Sequence, residues 1–266
     1  MTVRVEHPAA FVAELVMDRP EALNAISTQQ AAALANACHR VAGDESVRVA
    51  VLASALPRAF CVGADLKERL HATNEELLAQ RPAFRGAFAA LLGLPMPVLA
   101  AVDGFALGGG CELALSCDLV VGSETATFGL PEVGLGLVPG CGGTQLLPRR
   151  VGAPRAAELI FTGRRVTGAE AARIGMVDRL VPPGQARAAT LAWAVQIAAG
   201  SPVALRNAKQ ALRDGYRRPL AEALEIEDAA WHRAAVSADR VEGIAAFNEK
   251  RPARWPDPAP PSQSDR

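Results

Sequence analysis

Net charge is the first thing this sequence lacks. Its 28 Lys and Arg are balanced by 28 Asp and Glu, so no basic field exists to gather a polyanion, and nucleic-acid binding has no electrostatic support. Long apolar runs are missing too. None approaches the ~20 residues of a membrane-spanning helix, and Met1 to Leu15 contains no signal-peptide apolar region. A cytoplasmic protein with no membrane partner is expected. The five cysteines (Cys38, Cys61, Cys111, Cys117, Cys141) include no C-x-x-C pair. They read as small buried thiols in a reducing compartment rather than as disulfides or zinc ligands. The four histidines (His7, His39, His71, His232) lie far apart and match no metal-ligand spacing, so no metal is predicted. No G-x-G-x-x-G follows the first predicted strand, and no acidic ribose partner is evident, which argues against a dinucleotide oxidoreductase.

Glycine-interrupted passages from strand to helix are what the chain does have. Val98 to Val102 is a short apolar run that reads as a buried strand. Gly104, Gly108, Gly109 and Gly110 follow, and Cys111-Glu112-Leu113-Ala114 then opens a helix. Such a turn leaves backbone N–H groups free at the positive end of the helix, which is a place to hold a developing negative charge. Glu112 sits in that first turn among apolar neighbours. It is either a helix cap, which composition favours, or a working carboxylate. A second passage of the same kind runs from Ala59 through Gly63 to Glu68. The Gly- and Pro-dense loop Phe128 to Thr144 holds one charged residue, Glu132. A loop of that length in a compact domain tends to be functional. Its lone carboxyl is either exposed or buried with a raised pKa, and in the second case it is a candidate proton carrier.

Further strands are predicted over Phe11–Met17, Arg48–Ala53, Asp118–Val121 and Asp178–Val181. Ser27-Thr28-Gln29-Gln30 has capping-box form and opens a helix running to about Val41, with Gly43 as its stop. Leu70 to Leu92 reads as helical, with Thr73 to Glu76 capping one piece and Pro82 breaking or restarting it. Thr167-Gly168-Ala169-Glu170 is another capping box. Pro182-Pro183-Gly184 is the best boundary, and helices over Ala188–Ala199, Ser201–Gly215 and Pro219–His232 follow it. The tail from Arg251 is expected to fray. The class is α/β followed by helices, and patterning alone would permit a doubly wound sheet.

Four segments go beyond patterning: Arg19-Pro20-Glu21-Ala22-Leu23-Asn24-Ala25, Phe60 to Lys67, Gly104 to Ala114, and Pro131 to Gln145. In this order and spacing the chain closely resembles the enoyl-CoA hydratase/isomerase (crotonase) family, from about Val12 to Arg254. Glu242 to Pro252 resembles the family's C-terminal signature. Cys141 and Leu146 depart from its usual Pro-Gly-x-Gly-Gly-Thr-Gln-Arg pattern without touching the implied chemistry. The segments Ala64–Arg69 and Ser201–Leu205 are also similar to the branched-chain 3-methylglutaconyl-CoA hydratases.

The resemblance implies a crotonase-like spiral of ββα repeats over residues 1–184, a C-terminal helical trimerisation region over 185–254 and a Pro-rich flexible tail over 255–266. It implies a homotrimer or dimer of trimers and an acyl-CoA substrate, with coenzyme A as part of that substrate and no separate cofactor. Amides of Ala64 and Gly109 correspond to the family's oxyanion hole, and Glu112 and Glu132 to its catalytic carboxylates. Glu112 would activate the water and Glu132 would supply the Cα proton. Ala22, Leu23, Ala25, Ala64, Asp65, Leu66, Lys67 and Gly109 resemble the coenzyme wall, while Phe247 and Lys250 match positions that reach a neighbouring subunit's coenzyme. The Leu70–Leu92 segment would line the acyl pocket. The implied activity is that of a hydro-lyase: syn hydration of a 2-enoyl-CoA in fatty-acid or branched-chain acyl-CoA degradation. The alternatives are a delta-isomerase on the same scaffold and a non-catalytic acyl-CoA-binding protein.

Overall fold

The structure, a computed structural model, describes residues 2–256. The predicted tail falls outside the described residues beyond Pro256. Strands β1 (Val3–Ala9) and β2 (Val12–Met17) form an antiparallel hairpin, followed by α1 (Thr28–Ala42). Three similar units come next. The first is β3 (Val49–Ser54), β4 (Ala59–Cys61), α2 (Leu66–Arg69) and α3 (Asn74–Leu92). The second is β5 (Val98–Val102), β6 (Phe105–Leu107) and α4 (Gly109–Leu115). The third is β7 (Leu119–Ser123), β8 (Thr127–Gly129), α5 (Gly143–Val151) and α6 (Ala153–Thr162). After these come β9 (Val166–Thr167), α7 (Gly168–Arg173) and β10 (Arg179–Val181), then α8 (Ala186–Ala198), α9 (Pro202–Gly215), α10 (Leu220–Ala235) and α11 (Ala238–Asn248).

Each unit places its two strands in different sheets, and that makes the chain a spiral. The first strands lie in a six-stranded sheet of order β1-β2-β3-β5-β7-β10, and the second strands in a four-stranded sheet of order β4-β6-β8-β9. Between successive units the pairing is parallel, with Leu52 beside both Leu15 and Ala100, and Ala100 beside Val120. Parallel neighbours require a long crossover, which the helices provide.

Side-chain alternation explains why the central strands are apolar throughout. In β3, Ala50 and Leu52 join the main core with α1 and α3, whereas Val49, Val51 and Ala53 face Ala194 and Ala198 of α8. Leu99 and Ala101 of β5 point the same way as the latter set. A sheet covered on both faces needs no polar side. α8, the first helix past the predicted boundary, is therefore part of the sheet's own packing. Lys209 ties α9 to the sheet: its buried Nζ donates to Met96 O at 2.8 Å and pairs with Asp118 at 2.7 Å. No single described helix is long and apolar enough to cross a membrane.

Several expectations are refined. Ser27 accepts from Gln30 N at 3.1 Å, but the Gln30 side chain has no partner, so only half of that capping box forms. Thr73 and Glu76 form both halves of theirs. Pro82 does not break α3, which runs unbroken through it. The proline forfeits a bond to Leu78 on an exposed turn, while Phe84, Ala87, Phe88 and Leu91 bury one face of the helix in the core. Burial on that scale outweighs one lost backbone bond. Fraying from Arg251 is also corrected. Arg251 and Arg254 N bond Glu242, and Trp255 Nε1 donates to Ala199 O at 2.7 Å.

Candidate active site

The site forms where the second strands end. β4 and β6 lie side by side and both exit through glycine. Gly63 has φ +101° and Gly108 φ +52°, conformations closed to most side chains. Gly110 shows how closely the two passages approach: a Cβ there would fall 2.0 Å from Cys61 O. That contact sets the N–H groups of Ala64 and Gly109 side by side. The amide of Gly109 lies 3.4 Å from the position a Gly63 Cβ would take, and that of Ala64 3.9 Å from a Gly109 Cβ. Neither amide has a backbone acceptor among the described residues.

Glu112, one turn into α4, is buried. It does not cap its own helix. Its Oε1 accepts from Cys141 N at 2.7 Å and Gly143 N at 2.8 Å, so the Gly/Pro loop closes over it. Burial raises the Glu112 pKa, and the two amides and the Arg81 guanidinium pull it back. Glu132 begins the short turn Glu132–Leu135. Its Oε2 is buried with no partner. Burial, with a smaller push from Glu112, raises this carboxyl to about 7. One carboxylate is thus held by donors while the other keeps its proton up to near neutrality.

Both carboxyls line one cavity of about 330 Å³ together with Ala64 and Gly109. Leu66 also lines it, whereas Ala22, Leu23, Ala25, Asp65, Lys67, Phe247 and Lys250 do not. Asp65 is occupied in the fold. It caps α2, accepting from Lys67 N at 3.0 Å, and pairs with Arg19 at 2.7 Å. Arg19 also donates to Ala25 O at 2.8 Å, tying the Pro20–Ala25 segment to the Asp65 turn. Leu23 and Asn24 in that segment have positive φ, and buried Asn24 donates to Ser54 Oγ at 2.8 Å and Phe60 O at 3.0 Å. Lys67 is exposed, as are Phe247 and Lys250 on and after α11. All five cysteines are free and four are buried.

Sequence reasoning missed Arg69 and Arg81, which line the cavity from α2 and α3. It also missed the Cys141 and Gly143 amides as Glu112's partners. The glycine density of 140–143 was the available signal for those amides, since a Cβ at Gly143 would come within 3.1 Å of Glu112 Oε1.

A spiral of this form with paired amides and carboxyls around one cavity defines the crotonase class. The family model for enoyl-CoA hydratase/isomerase matches residues 8–258, and the chain belongs to that family. YngF of Bacillus subtilis (strain 168), named as an enoyl-CoA hydratase/isomerase, is 42% identical over 252 residues, covering 95% of each chain. The human mitochondrial enoyl-CoA hydratase domain-containing protein 2 is 40% identical over 252 residues, covering 93% of this chain and 86% of that one. The crystal structure of enoyl-CoA hydratase from Bacillus anthracis superposes with a TM-score of 0.94 at 37% identity, covering 96% of this chain and 99% of that chain.

Proposed function

We propose that the protein is a 2-enoyl-CoA hydratase. The observation that carries this reading is the unequal pair of carboxyls in one cavity with two unpartnered amides. The thioester oxygen accepts from Ala64 N–H and Gly109 N–H. Water lies between Glu112 and Glu132. Glu112 takes a proton from the water as its oxygen bonds C3, and Glu132 delivers a proton to C2 on the same face, giving a 3-hydroxyacyl-CoA. Negative charge that builds on the thioester oxygen meets donors already aimed at it. Coenzyme A enters as part of the substrate. Fatty-acid or branched-chain acyl-CoA degradation is the setting we assign. The compartment we assign is the cytoplasm, a reducing one that suits five free thiols.

Loss of the conjugated thioester absorbance of crotonyl-CoA tests the activity. No turnover of any 2-enoyl-CoA from four to ten carbons overturns it. Supplying 3-enoyl-CoA and identifying the product separates hydration from isomerisation. We also propose assembly as a homotrimer or dimer of trimers through the C-terminal helices, which leave Leu212, Leu220, Trp231 and Phe247 exposed. A molar mass equal to one chain would rule that out.

A further inference from the structure

Two cations line the otherwise apolar wall of the cavity, and neither forms an ion pair among the described residues. Arg69 places its guanidinium 4.8 Å from the centre of the Phe84 ring, and its Nε is buried with no hydrogen-bond partner. Arg81 donates through Nη2 to Gly140 O and faces Cys141 Sγ through Nη1 at 3.8 Å. The rest of its five N–H groups have no protein partner among the described residues. Arg81 touches Cys141, whose amide donates to Glu112 Oε1 at 2.7 Å, which sets it at the reacting end of the cavity, and Arg69 lines the same cavity.

A neutral alkyl tail packed there would strip water from both guanidinium groups and return nothing. A buried charged donor left unpaired is among the costlier arrangements in a binding site. A carboxylate instead offers two acceptors in the geometry that guanidinium forks match. With the carbonyl oxygen on the Ala64 and Gly109 amides and C2 and C3 beside the glutamates, the side chains next to Glu112 on the α2–α3 wall face the acyl chain beyond C3.

We propose that the acyl pocket selects 2-enoyl-CoA substrates whose acyl chain ends in a carboxylate, held by Arg69 and Arg81. This rests on the hydratase reading above. The phosphates of coenzyme A are the competing anions, and the experiment separates them.

The test compares kcat/KM for glutaconyl-CoA, which carries a terminal carboxylate, with that for pent-2-enoyl-CoA, an uncharged chain of the same length. The wild-type protein is expected to favour the acidic substrate by about tenfold or more. Arg69→Gln is expected to lose about 10- to 100-fold on glutaconyl-CoA beyond whatever it loses on pent-2-enoyl-CoA, and Arg69→Lys to recover part of that difference. Inhibition by glutaryl-CoA against pentanoyl-CoA reads the same preference in variants too slow to assay.

Equal use of the two substrates, or preference for the uncharged one, overturns the proposal and leaves the hydratase reading standing. Equal losses on both substrates in Arg69→Gln assign the arginine to the coenzyme and also overturn it. No turnover of either substrate, with crotonyl-CoA inert too, removes both readings.

Discussion

The two walls of the cavity are built by different means. One, formed by the Cys61–Asp65 and Gly108–Glu112 passages, is main chain against main chain: a carbonyl stands where a Gly110 side chain would be. The other, formed by α2 and α3, presents side chains, with Leu66, Leu78 and Arg81 partly or largely open to solvent. A wall of packed backbone cannot shift by a fraction of an ångström without moving two strands and a helix. A wall of side chains can be exchanged one residue at a time. On the proposed function, the reaction falls to the rigid wall and the choice of substrate to the adaptable one.

Breaking the carboxyl pair, Glu112 on the rigid wall and Glu132 in the Glu132–Leu135 turn, should cost most. Glu112→Gln and Glu132→Gln are each expected to lower kcat by ~10²–10⁴-fold, the scale of a lost general acid or base. A wild-type rate in either variant would remove that residue from the chemistry. In the reaction we propose, both directions draw on the pair holding one proton in total. Hydration and dehydration should therefore share an alkaline limb near the pH of about 7 at which Glu132 ionises, and Glu132→Gln should lose it.

A matched pair of glycine substitutions sharpens the comparison. Gly110→Ala must push α4 off Cys61 and is expected to destabilise by about 3 kcal/mol or to prevent folding, read by urea denaturation. Next in size is the stability cost of the working carboxyl. Glu132 has an ordinary value of 4.5 and a folded value of about 7. Between those values the folded chain binds the extra proton, so stability falls as pH rises through that window. Above it, at pH 8, Glu132→Gln should be more stable than wild type by roughly 1–3 kcal/mol, visible as a higher melting temperature. The smallest effect falls on the other wall. Gly86 in α3 has nothing within 4 Å of a built Cβ, and Gly86→Ala should stabilise by about 0.5–1 kcal/mol.

Much of the rigid wall was legible because its geometry is written in glycine. Gly63 and Gly108 occupy backbone conformations that other residues resist, and Gly110 answers a contact that other residues would block. Those demands act over a few residues and leave a local mark. The partners of Glu112 left only the glycine density of 140–143, which does not name Glu112, since amides carry no side-chain signature and these lie 29 and 31 residues away. Arg69 and Arg81 were missed for a similar reason. An arginine among polar residues on a helix reads as solvated, and only the fold sets Arg69 of α2 and Arg81 of α3 around one cavity with Glu112. Strand β1 was missed as well. Its outward residues are half-exposed, and its pairing with β2 supplies what its own pattern lacks. Trp255 shows the opposite failure. A Pro-rich end suggests looseness, and one indole bond to Ala199 defeats it.

Because the donors we assign to the thioester oxygen belong to the main chain, mutagenesis by side-chain truncation cannot delete them. Position 64 is already alanine, and an alanine scan would pass over it in silence. Only proline, which has no N–H to give, or replacement of the amide by an ester would expose what this position contributes. A survey of inactivating missense changes would therefore cluster on the residues that hold the loops in place, and the atoms gripping the substrate would go unmarked.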